Sequence, residues 1–205
     1  MLNIKRMQDI MRTDTGVDGD AQRISQITWM LFLKIFDDKE QEYELDDDYR
    51  SPLPEECRWR NWAANDEGLT SDELIQFVNN TLFPTLSDLT ATARTRQGRL
   101  IGHIMTDSAN YMKSGILLRQ VINEINQLDY TSQKERHLFN DVYETILRDL
   151  QSAGNAGEYY TPRAVTQFMV DMTDPRPGEI ILDPACGTGG FLVCAYEHVR
   201  TNYVK

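Results

Sequence analysis

Apolar positions recur at three- and four-residue spacing through most of the first 150 residues. Between Asp20 and Leu45, Ile24, Ile27, Leu31, Phe32 and Ile35 keep that spacing, and Trp29, Met30, Leu33 and Phe36 widen the apolar face. The spacing predicts a helix that is apolar nearly all round at its centre, so it needs cover on several sides. Residues 46–65 contain Ser51-Pro-Leu-Pro54 and read as a loop, with Trp59 and Trp62 expected to pin it to the core. Thr70-Ser-Asp-Glu73 matches a capping box. It opens a predicted helix through Leu74, Phe77, Val78 and Leu82 that should stop near Pro84. Ser114 is placed to cap the next helix, with Leu117, Val121, Ile125 and Leu128 in phase. A further helix is predicted over 133–150, through Leu138, Phe139, Val142, Tyr143, Ile146 and Leu150. No convincing strand pattern precedes residue 150.

The texture then changes. Gln151-Ser-Ala-Gly-Asn-Ala-Gly157 is small and polar and reads as a linker. Thr161 is a candidate N-cap with Pro162 at the first helical position. Val165, Phe168, Met169 and Met172 give that helix an apolar side. Asp174-Pro-Arg-Pro-Gly178 is a turn, Glu179-Ile-Ile-Leu-Asp183 a short buried-strand candidate, and Pro184 to Gly190 a glycine-rich loop. From Phe191 the pattern is helical again, through Leu192, Ala195 and Val199. Helix, strand, glycine loop and helix make the opening unit of a doubly wound, Rossmann-like α/β domain. One strand cannot form a parallel sheet, so the chain is expected to be a fragment or to have its sheet completed from outside. The expected fold class is therefore mainly α, an all-helical domain followed by that α/β beginning.

The chain has 205 residues, 40% hydrophobic and 26% charged, which suits one folded domain or one and a part. Its net charge is -11, from 21 basic and 32 acidic residues, and that argues against a free-standing nucleic-acid binder. The charge is uneven. Asp37, Asp38, Glu40, Glu42, Glu44, Asp46, Asp47 and Asp48 surround Lys39 alone, whereas Arg94, Arg96, Arg99, Lys113 and Arg119 face only Asp107. The basic stretch is a candidate for contact with phosphate or an acidic partner, weighed against a solvated loop. The longest nearly apolar run, Ile27 to Phe36, is about half of a membrane span. Met1-Leu-Asn-Ile-Lys-Arg6 lacks a signal-peptide pattern, so a cytoplasmic protein with no membrane partner is expected. Cys57, Cys186 and Cys194 show no Cys-x-x-Cys spacing, and His103, His137 and His198 no ligand spacing. Neither a disulfide framework nor a metal site is expected.

Asp183-Pro-Ala-Cys-Gly-Thr-Gly-Gly-Phe191 is the most informative stretch. Glycines let backbone approach a ligand where a Cβ would collide. The following helix aims its free amides and positive dipole end at the loop, favouring a carboxylate or phosphate. Asp183 at the strand end can accept hydrogen bonds from an amine. A ligand bearing both an amine and a carboxylate suits this arrangement. A Walker loop is excluded because no lysine follows the glycines, and the dinucleotide fingerprint because Leu192 stands where its third glycine belongs. Cys186 could be a nucleophile at a helix start, but no histidine is near it in sequence. It is read as a small packing residue.

Gly157-Glu-Tyr-Tyr-Thr-Pro-Arg163 makes the pattern specific. With the glycine loop some twenty residues later, it resembles the gamma arrangement of N6-adenine DNA methyltransferases. The closest resemblance is to the modification (M) subunit of type I restriction-modification systems. The helical first 150 residues also look like that subunit's N-terminal domain, so the resemblance covers essentially the whole chain. It implies a helical N-terminal domain over 1–152 and the truncated start of an S-adenosylmethionine-dependent methyltransferase domain over 153–205. It also implies a cofactor half-site made of Glu158, Tyr159, Tyr160, Thr161, Pro162, Arg163, Asp183, Gly187, Thr188, Gly189 and Gly190. Thr161 and its neighbours would contact the methionine end, the loop would pass under it, and Asp183 would lie near the amine.

The family holds the ribose hydroxyls with an acidic residue after its second strand and receives the flipped adenine with Asn/Asp-Pro-Pro-Tyr/Phe. This sequence contains no Pro-Pro pair. No catalytic residue is therefore expected in it, and the 205 residues alone should transfer no methyl group. The implied partners are double-stranded DNA, a specificity subunit, a second M subunit and the restriction subunit. Two alternatives stand beside this reading. One is a helical interaction module that docks the specificity subunit and DNA without catalysis. The other is a small protein that binds a nucleotide-like ligand without turnover.

Overall fold

The computed structural model describes residues 4–127, 161–186 and 189–204. The predicted helix over 133–150 lies outside them. The chain divides into two compact units, Met1–Leu150 and Gln151–Lys205. The described residues form helices, turns and loops with no strand among them.

In the first unit, α1 (Ile4–Arg12) buries Met7 and Met11, one turn apart on one face. Helix α2 (Gly19–Tyr43) is the central rod. Ile27, Trp29, Met30, Leu31 and Leu33 point in several directions and are all buried, as an all-round apolar centre requires. A short 3-10 turn (Glu55–Cys57) and α3 (Trp59–Trp62) follow. Trp59 and Trp62 are buried with their rings 5.1 Å apart, edge to face, and Trp59 donates to Asn126 Oδ1 at 2.8 Å. Both tryptophans thus fasten the long loop, as expected from sequence. Burial beside Glu56 pushes the Cys57 thiol up to about 12, so it stays a protonated core residue.

The acidic run divides: Asp37, Asp38 and Glu40 are buried, whereas Asp46, Asp47 and Asp48 are exposed. Asp37 receives Arg60 Nε at 2.8 Å, and Glu44 receives Arg58 at 3.1 Å and Arg60 at 2.6 Å. Asp38 receives Lys34 at 2.5 Å, Tyr49 donates to Glu40 at 2.8 Å, and Lys39 pairs with Glu42. Burial and the bond to Glu40 raise the Tyr49 phenol well above its ordinary value.

Helix α4 (Ser71–Phe77) corrects two sequence expectations. Thr70 is the N-cap residue, yet its side chain makes no capping bond, so the capping box is not formed. The reason is tertiary. Ser71 adopts φ +51° and its backbone is pressed against Gly115 at the start of α7 (Gly115–Asn126). A Cβ on Gly115 would fall 1.8 Å from Ser71 O. Gly115→Ala is accordingly expected to cost about 1–3 kcal/mol by forcing α4 and α7 apart. Thermal unfolding followed by circular dichroism measures it, and an unchanged midpoint would contradict the packing described.

The second correction is at Pro84. The helix does not stop there but runs through a π turn (Val78–Leu82) into α5 (Phe83–Thr92). The Phe83 N–H reaches Val78 O, five residues back, and this wider turn accommodates the proline that follows. Helix α6 (Arg96–Thr106) is capped by Thr95, which accepts from the Gly98 N–H. Ser114 caps α7 as expected, accepting from the Leu117 N–H at 3.3 Å. Buried Asp14 binds the amides of Gly16, Lys113 and Ser114 at 2.8–3.2 Å, tying the end of α1 to the entry of α7.

The second unit contains α8 (Arg163–Thr173) and α9 (Gly190–Tyr203). The predicted buried strand Glu179–Asp183 is not formed, with Ile180 97% and Leu182 83% exposed. A strand exists through its ladder, and no neighbouring strand is described here to supply one. Among the described residues, no helix is long and apolar enough to cross a membrane.

Candidate cofactor site

Helix α8 begins one residue later than its sequence suggests. Pro162 is the cap position, with ψ 137°, and Arg163 the first helical residue, so the proposed Thr161 cap is replaced by a proline that ends the extended entry. Arg163 Nη2 meets Glu197 Oε2 of α9 at 3.1 Å. Glu158, Tyr159 and Tyr160 lie outside the described residues, as do Gly187 and Thr188.

At the loop, half-buried Asp183 accepts the Ala185 N–H on Oδ1 at 3.1 Å. That bond leaves carboxylate lone pairs for an ammonium. The Gly189 N–H closes the turn onto Cys186 O at 2.7 Å. Gly189 has φ +77°, a conformation that favours glycine, and nothing lies within 4 Å of where its Cβ would point. The space beside it is open. Among the described residues no side chain caps α9, and the Val193 N–H donates to Gly189 O at 2.8 Å. The amides of the first turn therefore have no intrahelical partner, and the positive end of the helix dipole lies there. Amide donors and a carboxylate are the groups that would bind the carboxylate and ammonium of an amino acid. Cys186, expected to pack, is exposed.

A polar cluster where α8 and α9 cross was not singled out from sequence. Its members are Asp171, Asp174, Arg176, His198 and Tyr203. In sequence His198 is one of three scattered histidines. Only the crossing brings it to the two aspartates, and the sole hint in sequence is the close spacing of Asp171 and Asp174. Among the described residues, no group of three His, Cys, Asp or Glu side chains is arranged to hold a metal ion.

In the first unit, the basic stretch divides. Arg94, Arg96, Arg99 and Lys113 are exposed, whereas Arg119 is buried. Arg119 donates to the carbonyls of Trp62, Ala63, Asn65 and Leu69 at 2.7–3.1 Å. It is a structural clamp and not a phosphate ligand, which corrects its inclusion in the run. An apolar groove of about 470 Å³ lies between α2 and α6, lined by Trp29, Phe32, Ile35, Phe36, Tyr43 and Ile104 among others.

The chain thus has a helical first unit and, in the second, a glycine-led helix start that follows an acidic residue. Residues 3–125 match the family "HsdM N-terminal domain", and residues 134–205 match "N-6 DNA Methylase". The chain belongs to the methylase subunits of type I restriction enzymes. It is 62% identical over 204 residues to the type I restriction enzyme EcoEI methylase subunit of Escherichia coli, covering 98% of this chain and 42% of that one. It is 27% identical to the StySJI methylase subunit of Salmonella typhimurium, covering 87% of this chain and 31% of the relative. A crystal structure of a modification subunit from Vibrio vulnificus YJ016 superposes with a TM-score of 0.88 at 40% identity, over 97% of this chain and 45% of that one. A chain from a study of complex assembly and conformational transition in the type I R-M system gives 0.76 at 35% identity, over 98% and 41%. The chain thus spans less than half the length of these relatives. Their family is one of N6 DNA methyltransferases.

Proposed function

We propose that the chain supplies the helical domain, residues 1–152, and the first part of the cofactor-binding domain, residues 153–205, of an enzyme that methylates adenine N6 in double-stranded DNA. The observation that carries this reading is the uncapped, glycine-led start of α9 beside Asp183. S-adenosylmethionine supplies the methyl group when bound. Asp183 takes its ammonium and the amides from Gly190 onward take its carboxylate; the family resemblance assigns Glu158 to Arg163, Gly187 and Thr188 to the same site. Adenine capture by an Asn-Pro-Pro-aromatic segment falls to sequence that this chain does not contain. A specificity subunit chooses the DNA site, and a second M subunit and the restriction subunit complete the assembly.

The 205 residues alone are expected to transfer no methyl group to DNA. A chimera, with these residues replacing the matching segment of the EcoEI methylase subunit, is expected to methylate DNA with its specificity subunit. Activity of the isolated chain, or a well-folded but inactive chimera, would refute the proposal.

A second role is docking, and the groove between α2 and α6 favours it. Ile104 of α6 is exposed in that lining, and the Trp29 indole N–H has no hydrogen-bond partner among the described residues. We assign the groove to the specificity subunit, with Arg94, Arg96 and Arg99 contacting phosphate. Ile104→Glu should lower the yield of assembled complex several-fold. Alanine at the three arginines should leave assembly intact but weaken DNA binding and flatten its salt dependence. Unchanged affinity across salt concentrations would dismiss the phosphate contacts.

A further inference from the structure

The buried apolar contact between α8 and α9 is small. Val170, Cys194 and Ala195 are its buried hydrophobic members among the described residues. So slight a contact sets a crossing angle poorly, and polar pairs do it instead. The His198 side chain is 7% exposed, with Nδ1 3.1 Å from Asp171 Oδ1 and Nε2 3.0 Å from Asp174 Oδ1. Only an imidazolium donates from both nitrogens. Tyr203 donates to Asp174 Oδ1 at 2.5 Å, and Arg176 reaches Asp174 Oδ2 at 3.3 Å while lying over the Tyr203 ring. Asn202 Nδ2 is 3.2 Å from His198 Nδ1, and Gln167 donates to Asp171 at 2.8 Å. Asp174 itself is held at φ +45°, unusual for a residue with a side chain. Elsewhere along the crossing, Arg163 pairs with Glu197.

We propose that Asp174 and His198 are positioning residues for the methyl-donor site: their ionic clamp fixes the angle between α8 and α9, and so the placement of both helix starts around one ligand. This rests on reading those starts as the cofactor site. The lever is long. Gly190 lies eight residues from His198, about 12 Å along the helix, so a 10° rotation there would carry Gly190 by about 2 Å. A displacement of that size removes a hydrogen bond and with it much of the affinity.

The clamp has a defined pH window. The bond to Asp174 first, and Asp171 next, raise His198 above its ordinary 6.5 against the opposing effect of desolvation. Hydrogen bonds from Tyr203, His198 and Arg176 hold Asp174 down at about 2. The histidine contribution is complete below 6.5 and is lost as pH rises through its raised value. The aspartate contribution is present above 3.8 and is lost as pH falls through about 2. Among the described residues the charged neighbours are Asp171 and Arg163 on α8, Asp174, Arg176 and Glu179 on the turn, and Glu197 and Arg200 on α9, with the neutral Tyr203 phenol beside them.

The test is S-adenosylmethionine affinity of the chimera between pH 5.5 and 9, for the unmodified segment and for His198→Arg and Asp174→Asn. The affinity of the unmodified segment relative to His198→Arg, whose charge persists, should fall about tenfold from the acid to the alkaline end. Asp174→Asn should weaken binding about tenfold throughout and raise KM more than it lowers kcat. In the 205-residue chain, His198 should titrate above 6.5 by imidazole NMR. Superimposable pH curves for the unmodified and His198→Arg proteins, or a His198 value at or below 6.5, would overturn the clamp. No donor binding by the unmodified chimera, with His198 titrating above 6.5, would overturn the site reading and the positioning role with it.

Discussion

Arg119→Met is expected to lower the unfolding midpoint of the chain by roughly 6–12 °C. The guanidinium bridges carbonyls of Trp62, Ala63, Asn65 and Leu69 from within the core. Burial lowers its pKa, with partial relief from Asp66, but an arginine stays charged at any accessible pH. Methionine fills much of the volume and removes every donor. Ala63 O keeps a bond from Asn126 at 2.8 Å and Asn65 O one from the Gly68 N–H at 2.9 Å, so the loss falls on the carbonyls of Trp62 and Leu69. At about 1–3 kcal/mol for each buried unsatisfied group, less the desolvation relieved, the loss is about 3 kcal/mol. A chain of this size converts that at about 2–4 °C per kcal/mol. Lysine should recover little, because one ammonium cannot span the four acceptors. A midpoint within 1 °C of the unmodified chain would contradict this account of the loop.

The second large effect concerns the ligand. Asp183→Ala in the chimera is expected to weaken S-adenosylmethionine binding by about 10- to 100-fold, the loss of a charge-assisted hydrogen bond of about 1.5–3 kcal/mol. Asp183 also accepts the Ala185 N–H, so Asp183→Asn separates the two roles. It keeps the turn acceptor and removes the charge, and it should weaken binding nearly as much as alanine. Full affinity in both variants would remove Asp183 from the ammonium site.

The sequence and the structure agree best where the signal is periodic. The stripe from Ile24 to Phe36 predicted α2 within a few residues, and Trp59 and Trp62 were placed correctly because large aromatics have few alternatives to burial. Punctuation residues misled. Thr70 and Pro84 follow local rules that the contact of Ser71 with Gly115 and the π turn at Val78 override. Charge is legible only in part, because a run of like residues says nothing about pairing at a distance. Arg119 belongs to the core, and the acids from Asp37 to Glu44 are partnered by Lys34, Lys39, Arg58, Arg60 and Tyr49. The turn at Asp183 and the glycine-led start of α9 follow the sequence reading because the signals there are local. The cluster around His198 does not, since its members are drawn together only by two crossing helices.

Isothermal calorimetry of the chimera with S-adenosylmethionine and, separately, with NAD tests the central claim most directly. The account predicts saturable binding of the methyl donor, lost on Asp183→Ala, and little or no heat with the dinucleotide. Tight NAD binding, or methyl-donor binding indifferent to Asp183, would contradict it.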